Sequence, residues 1–293
     1  MGYVWIVLAA VLWGTLGPTA RLPLRDGVEP LELGFWRALL GGTLFAAHAS
    51  VHRRARIARR DWPAVGAFAL LGVALFYVSY FRAVRAGGAA LAAILLYTAP
   101  GWVALASALW LGERVTGRTA TALVLTLGGV ALVALGSGSA GSGVRLGLPA
   151  LAWGLTAGLA YAAYYLFGKR WFASYDMATV LAWALPLGAL ALLPAVRFAP
   201  KTGTTWLALA CIAVVPTYLA YLAYGLGLRR LEATRAATVA TLEPVVAAAL
   251  AYGVWGEALR PLGYAGAALV LVGVLVTATQ PNAPEHARRV AQP

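Results

Sequence analysis

The sequence has few charged residues and a single cysteine. Only 11% of its 293 residues are charged, whereas a soluble domain carries about a quarter. A soluble domain of this size is therefore excluded. Acidic residues are fewer than basic residues, with 10 Asp and Glu against 23 Lys and Arg. Because Cys211 is the only cysteine, an internal disulfide contributes nothing to the fold.

Catalytic and cofactor motifs are also missing. The sequence has neither H-E-x-x-H nor G-x-S-x-G, and no apolar run carries an Asp pair suited to intramembrane proteolysis. His48 and His52 lie four residues apart without an acidic residue or cysteine beside them, so we predict no metal site. The glycines at 136, 138 and 141 match G-x-G-x-x-G, but no strand precedes them. We therefore predict no cofactor and no enzymatic activity, and interpret this stretch as a linker.

Long apolar runs fill the chain instead. Of all residues, 61% are hydrophobic, and a membrane-spanning helix needs about 20 apolar residues. Ten runs meet this requirement, and the sequence predicts an all-α polytopic membrane protein. Their approximate bounds are 2–22, 29–51, 62–84, 87–111, 116–136, 146–168, 176–196, 204–227, 233–255 and 261–279.

Basic residues predict the orientation in the inner membrane. One short loop contains Arg53, Arg54, Arg56, Arg59 and Arg60. Positive loops favour the cytoplasmic side, which places both termini in the cytoplasm. The net charge of +13 is thereby explained as an orientation signal that also meets anionic lipid, and nucleic acid is not a predicted partner.

The chain contains an internal repeat. Adding 144 maps Pro100 onto Pro244 and the pair Gly112-Glu113 onto Gly256-Glu257. Five spans in each half would place the second copy upside down, which is typical of secondary transporters. The predicted division is a first repeat, a Gly/Ser linker, an inverted second repeat and a disordered cytoplasmic tail, at 1–136, 137–145, 146–280 and 281–293.

The two repeated prolines lie near the middle of their spans. Pro100 and Pro244 each remove a backbone hydrogen bond and crowd the preceding turn. In lipid, the freed carbonyl groups need a neighbour, water or ligand. We predict two kinked helices beside a central cavity; the alternative is a pair of packing kinks without a ligand.

Tyrosines share helical faces in both halves. Tyr77 and Tyr80 are three residues apart, and Tyr221 and Tyr224 repeat this spacing. Tyrosines at span ends commonly belong to the interfacial belt, which is the alternative for Tyr80 and Tyr224. Tyrosines deeper in the spans need a partner for the hydroxyl group, and this favours a polar cavity. They are Tyr77, Tyr97, Tyr161 and Tyr164.

Two charged residues lie within predicted spans. Glu243 is the only carboxylate near the centre of a span, where an acidic residue costs roughly 2.5–3.5 kcal/mol on insertion. It is a candidate for proton coupling or for binding a substrate amine; the alternative is a polar contact that closes the kink. Arg37 could bind a substrate carboxylate or pair with Glu32.

The repeat, the proline-containing spans followed by Gly-Glu, Trp13-Gly14 and Arg37 together resemble the drug/metabolite transporter superfamily, EamA-type branch. The resemblance covers about residues 3–280, and the aromatic interior is most similar to YddG-type exporters of aromatic and other neutral amino acids. It implies ten helices in a pseudo-symmetric arrangement around a central cavity. It also implies that the cavity is lined by Tyr77, Tyr80, Tyr97, Trp102, Tyr161, Tyr164, Tyr221, Tyr224 and Pro244.

The resulting expectation is a secondary transporter that exports small neutral solutes, above all amino acids, by alternating access. One copy of the chain is expected to suffice for transport, and flux is either downhill or proton-coupled through Glu243. Alternatives are a multidrug or other metabolite exporter of the same superfamily and, from other classes, an intramembrane enzyme or a scaffold.

Overall fold

The computed structural model describes residues 1–52, 56–137, 145–170 and 175–279. Throughout these residues the regular structure is helical and no strand occurs. Ten long helices follow one another, and we number them in chain order. They are α1 Gly2–Arg25, α2 Pro30–Val51, α3 Arg59–Gly87, α4 Ala89–Leu111, α5 Gly117–Gly136, α6 Leu148–Lys169, α7 Met177–Ala195, α8 Gly203–Leu228, α9 Ala233–Trp255 and α10 Pro261–Ala278.

Nine of these helices are long and apolar enough to cross a membrane, judged by their length and composition within the described residues. The exception is α2, a helix of 22 residues that carries Glu32, Arg37 and His48. The prediction of an all-α multi-pass protein is thus confirmed. The tenth span and the inverted arrangement of two five-helix repeats stay predictions. The predicted tail and nearly all of the predicted linker, residues 138–144, lie outside the described part of the chain, as do Arg53 and Arg54.

The ends of α4 and α9 have the same backbone geometry. Gly112 follows α4 with φ +67°, and Gly256 follows α9 with φ +70°. Both are left-handed conformations, which glycine adopts without the steric penalty of a Cβ. The repeated Gly-Glu pairs of the sequence therefore mark two equivalent helix ends.

Helices α4 and α9 are each interrupted near the middle. Helix α4 divides into Ala89–Leu96 and Ala99–Ala106, and α9 divides into Ala233–Ala240 and Glu243–Trp255. The prolines occupy the first turn of each second segment, where the missing N–H would have no partner within the helix. At the interruption of α4, Thr98 Oγ1 donates to the Leu95 carbonyl at 2.6 Å.

Carbonyl groups at the α9 interruption are satisfied in the same way. Thr241 Oγ1 donates to the carbonyl of Thr238 at 2.6 Å. Threonine hydroxyls thus replace part of the bonding that the helical backbone gives up, as an apolar environment requires. Each break is a stable local structure rather than a fully unpaired backbone.

Wider π-helical turns occur in α3 and α8 at related positions. They cover Ala69–Leu75 and Val214–Leu219, so they lie about one repeat length apart. Turns of this kind are uncommon and often lie at functional sites. In α8 the wider turn exposes the carbonyl of Pro216, which accepts a hydrogen bond from Arg37.

Helices α5 and α10 pack against each other through glycines. A Cβ on Gly129 would lie 2.7 Å from the carbonyl oxygen of Gly266, and one on Gly136 would lie 2.2 Å from the nitrogen of Gly263. Backbones approach this closely only where side chains are absent. The remaining helices enclose the apolar core, which includes Trp13 of α1, Phe45 of α2 and Tyr165 of α6.

Candidate substrate site

Six of the predicted site tyrosines form one aromatic cluster between α3, α6 and α8. The rings of Tyr164 and Tyr221 stack with centroids 5.4 Å apart and an interplanar angle of 10°. Tyr161 lies 6.2 Å from Tyr164, and Tyr224 lies 6.3 Å from Tyr221. Offset and edge contacts at such distances stabilise aromatic clusters. Two tyrosines of α3, Tyr77 and Tyr80, join the cluster through Phe76.

Two residues of this cluster were not proposed as lining residues from the sequence. Phe76 contacts Tyr161 at 5.7 Å and Tyr77 at 5.1 Å. Trp13 lies 5.5 Å from both Tyr221 and Tyr224. Phe76 precedes Tyr77 in the sequence, but an apolar ring in an apolar helix gives no signal of its own. Trp13 contributes with Gly14 to the family resemblance, but that resemblance assigned it no role in the site.

The hydroxyl of Tyr224 is already used by the protein. It donates to the backbone carbonyl of Tyr164 at 2.9 Å, and Tyr224 is almost completely buried. Tyr77, Tyr80 and Tyr161 instead retain partly accessible surface. Within the cluster, Tyr224 therefore supports the ring of its neighbour, while these three can face a ligand.

The last two predicted lining residues lie on α4, beside its interruption. Tyr97 occupies the break itself, and its side chain lies beside Glu243. Trp102 lies one turn further, where its indole N–H donates to Thr98 Oγ1 at 3.1 Å. Helix α6 reaches this break because it has a glycine there: a Cβ on Gly158 would lie 2.6 Å from Thr98 Oγ1.

Glu243 begins the second segment of α9. The hydroxyl groups of Tyr97 and Tyr161 lie beside its carboxylate. The interruption places this carboxylate in the first turn of a new helical segment, where the helix dipole favours a negative charge. Glu243 is only partly buried although it lies in the middle of a long helix. A carboxylate with this combination of contacts can bind a cation or a proton.

Arg37 of α2 is 8% exposed and is bonded to the widened turn of α8. Its Nε donates to Thr217 Oγ1 at 3.0 Å, and its Nη2 donates to the Pro216 carbonyl at 3.1 Å. The expected alternative, an ion pair with Glu32, is wrong. Glu32 pairs with Lys201 at 2.5 Å, and both side chains are nearly inaccessible.

His48 of α2 contacts both His52, which follows the helix, and Tyr218 of α8. The two histidine rings stack at 4.5 Å, and His48 Nδ1 lies 2.6 Å from the Tyr218 hydroxyl. Across the described residues, no group of three His, Cys, Asp or Glu side chains is placed to hold a metal ion.

The glutamates that follow α4 and α9 have different partners. Glu113 Oε1 accepts the backbone N–H of Ala233 at 2.7 Å, and Glu113 Oε2 accepts the Thr234 hydroxyl at 2.7 Å. Glu257 instead accepts two hydrogen bonds from Arg21. The hydrogen bond from Arg21 lowers the pKa of the Glu257 carboxyl group.

Comparisons with known proteins agree with this architecture. The sequence model of the EamA-like transporter family matches residues 1–135 and again residues 148–279. An uncharacterised transporter of Archaeoglobus fulgidus is 32% identical, with 94% of this chain and 95% of that protein covered. A solved protein structure superposes with a TM-score of 0.79 at 23% identity, covering 99% of this chain and 98% of the other. That likeness describes the fold alone.

Two further relatives carry names that state what they export. One is described as the aromatic amino acid exporter YddG of Ancylobacter novellus; it is 26% identical, with 92% of this chain and 94% of that protein covered. The other is described as a probable terminal-alkyne amino-acid exporter of Streptantibioticus cattleyicolor; it is 26% identical, with 93% and 92% covered.

Proposed function

The chain belongs to the EamA-like transporter family, and we propose that it exports aromatic and other neutral amino acids across the inner membrane by alternating access. Both termini then lie in the cytoplasm, one copy of the chain suffices, and no cofactor takes part. The single observation that carries the proposal is the aromatic cluster around Tyr164 and Tyr221, which lies inside the bundle beside the polar groups Arg37 and Glu243. A solute with an apolar side chain and a charged or polar end matches these surroundings.

The equivalent features of the two halves support the mechanism. Both α4 and α9 are interrupted before a proline and end at a left-handed glycine, and the family model matches the chain in two segments. Inverted repeats with broken helices allow the two halves to rock around a fixed site near the midplane. The substrate site of this proposal consists of Tyr77, Tyr80, Tyr97, Trp102, Tyr161, Tyr164 and Tyr221, with Tyr224 as a supporting residue and Pro100 and Pro244 at the helix interruptions.

Glu243 is the proposed coupling residue, because it is the carboxylate that reaches the aromatic cluster. Replacement of Glu243 by Gln is expected to remove the response of transport to a pH gradient while exchange at saturating substrate continues. If the response to the gradient is unchanged, flux is downhill or is coupled elsewhere.

A second candidate function is the export of cationic drugs or other metabolites, as in other branches of this superfamily. The carboxylate of Glu243 in the interior of the bundle favours it, since such a group attracts an organic cation. The neighbouring Arg37 counts against it, because its positive charge repels such a cation. An intramembrane enzyme or a scaffold would leave the paired helix interruptions and the tyrosine cluster unused.

Counterflow in liposomes tests the proposal. Purified protein is reconstituted in vesicles loaded with excess unlabelled phenylalanine, and uptake of labelled phenylalanine, threonine or a cationic dye is followed. We expect the amino acids to accumulate transiently. Accumulation of dye alone, from dye-loaded vesicles, would favour the second candidate. Protein-free vesicles and vesicles without internal amino acid are the controls.

A further inference from the structure

The interior contains two opposite charges that do not pair with each other. We propose that Arg37 binds the α-carboxylate of the transported amino acid and Glu243 binds its α-ammonium group, so that the site selects zwitterions. This inference rests on the proposed function and assigns the two ends of the substrate to particular residues. The aromatic cluster then contacts the substrate side chain.

The guanidinium group of Arg37 has N–H donors that the described part of the protein does not use. A guanidinium group carries five N–H donors, and the protein uses one on Thr217 and one on Pro216. Those two contacts are to neutral oxygens, and they hold the planar group in a fixed orientation. Within the described residues, no carboxylate forms an ion pair with Arg37. The positive charge is therefore buried, oriented and left without a charged partner in contact, which suits the bidentate recognition of a carboxylate.

Glu243 has the corresponding arrangement for a cation. The hydroxyls of Tyr97 and Tyr161 lie beside its carboxylate, and it forms no ion pair with any described residue. An ionised carboxylate offers about four acceptor positions, and two tyrosine donors leave room for an ammonium group. Since the residue keeps accessible surface, a solute can reach it.

The two groups are close enough to act on one small molecule. The wider turn of α8 that holds Arg37 is followed by Tyr221, whose ring lies 5.5 Å from Trp13. Gly14, the residue after Trp13, packs against Val246, which lies one turn after Glu243 on α9. Tyr221 also stacks on Tyr164, and Tyr77 packs against Gly34, one turn before Arg37 on α2. The space between the two charges is thus bordered by tyrosine rings rather than by a third charge. A free amino acid carries its two charges on neighbouring atoms and would complete this arrangement.

The proposal predicts how analogues are recognised. Phenethylamine lacks the carboxylate and would leave Arg37 without a charged partner, whereas 3-phenylpropionate lacks the amine and would leave Glu243 without one. A site that pairs a buried charge discriminates strongly against ligands that lack the matching group, commonly by tenfold or more. Aromatic burial alone would bind all three compounds with similar affinity.

The test measures competition with phenylalanine counterflow by these two analogues in wild type, Arg37→Gln and Glu243→Gln. We expect wild type to prefer phenylalanine to either analogue by at least about tenfold. Arg37→Gln should weaken phenylalanine binding by at least about tenfold and leave competition by phenethylamine nearly unchanged. Glu243→Gln should weaken phenylalanine binding to a similar extent and leave competition by 3-phenylpropionate nearly unchanged. Arg85→Gln, which removes an exposed arginine at the end of α3, is the matched control.

The outcomes separate this inference from the proposed function. If wild type moves phenylalanine but both analogues compete equally well, the charge assignment is wrong and the amino-acid proposal stands. If folded wild-type protein shows no counterflow of any amino acid, the proposed function itself fails. Because Arg37 also bonds to α8, Arg37→Lys provides a second variant that keeps the charge and loses the fork-shaped donor set. It should retain part of the preference for phenylalanine over phenethylamine, and complete loss of that preference would contradict a charge-based role.

Discussion

Glu113, which follows α4, caps the first turn of α9 through Thr234. Its carboxylate accepts both the backbone N–H of Thr234 at 3.1 Å and the hydroxyl of the same residue at 2.7 Å. The equivalent glutamate of the second half, Glu257, is bonded to Arg21 of α1. Both glutamates therefore join the two halves, Glu113 at the start of α9 and Glu257 just beyond its end.

Removal of this cap should loosen the packing at the start of α9, beside the end of α4. We expect Glu113→Ala to cost about 0.5–2 kcal/mol, the usual value for a lost helix cap. A thiol reporter at Trp102→Cys, in a Cys211→Ala background, should then react roughly two- to thirtyfold faster with a water-soluble reagent added from that side. Glu257→Ala is the matched control and should leave this rate unchanged. Equal acceleration by both variants would show that the two ends are not distinguished by these glutamates.

The contact between Arg21 and Glu257 should respond to acid. The pKa of Glu257 is lowered below its ordinary value of 4.5 by the hydrogen bond from Arg21. A lowered pKa in the folded protein means that the contact stabilises the fold above about pH 4.5 and is lost as the pH falls through the lower value. In detergent, wild type should melt at a higher temperature than Glu257→Gln at neutral pH, and the difference should disappear on acidification. A difference that grows at low pH would contradict the assignment.

Two adjacent glycines of α5 should differ sharply in their tolerance of alanine. A Cβ on Gly129 would lie 2.7 Å from the Gly266 carbonyl and 2.8 Å from Val270, whereas a Cβ on Gly128 would meet nothing within 4 Å. Gly129→Ala should therefore destabilise the contact between α5 and α10 by about 1–3 kcal/mol, which is typical of overpacking. Gly128→Ala should be neutral or slightly stabilising, because alanine favours the helix. Thermal melts of the two variants check this pair, and equal melting temperatures would contradict the close packing.

The ring of Tyr221 should matter for affinity more than its hydroxyl. Tyr221→Ala removes the stacking partner of Tyr164 and should weaken phenylalanine binding roughly two- to tenfold. Tyr221→Phe keeps the stacking and should remain within about twofold of wild type. Half-maximal concentrations in counterflow, normalised to folded protein from size-exclusion chromatography, measure both. If affinity and folded yield fall together, Tyr221 has a packing role only.

Particular residues show how far prediction from the sequence extends. The three-residue spacing of Tyr77 and Tyr80 predicted a shared face, and both rings do contact Phe76. The same spacing could not show that the Tyr224 hydroxyl is used by the Tyr164 carbonyl. For Arg37, the nearest acidic residue in the sequence was Glu32. In the structure, however, Glu32 forms an ion pair with Lys201, which lies far away in the chain. Such partners depend on which helices become neighbours, and helical periodicity within one segment does not contain that information.

The sequence by itself determined that this protein consists of apolar helices. It also determined that two of these helices, 144 residues apart, share a central proline and a Gly-Glu end. These properties are local, since they follow from hydropathy over about 20 residues and from the backbone limits of proline and glycine. The tertiary structure decided which side chains meet in the interior: the stacking of Tyr164 on Tyr221, the hydrogen bonds of Arg37 to the wider turn of α8, and the capping of α9 by Glu113. Those contacts join residues far apart in the chain, and their free energy exists only once the helices have packed.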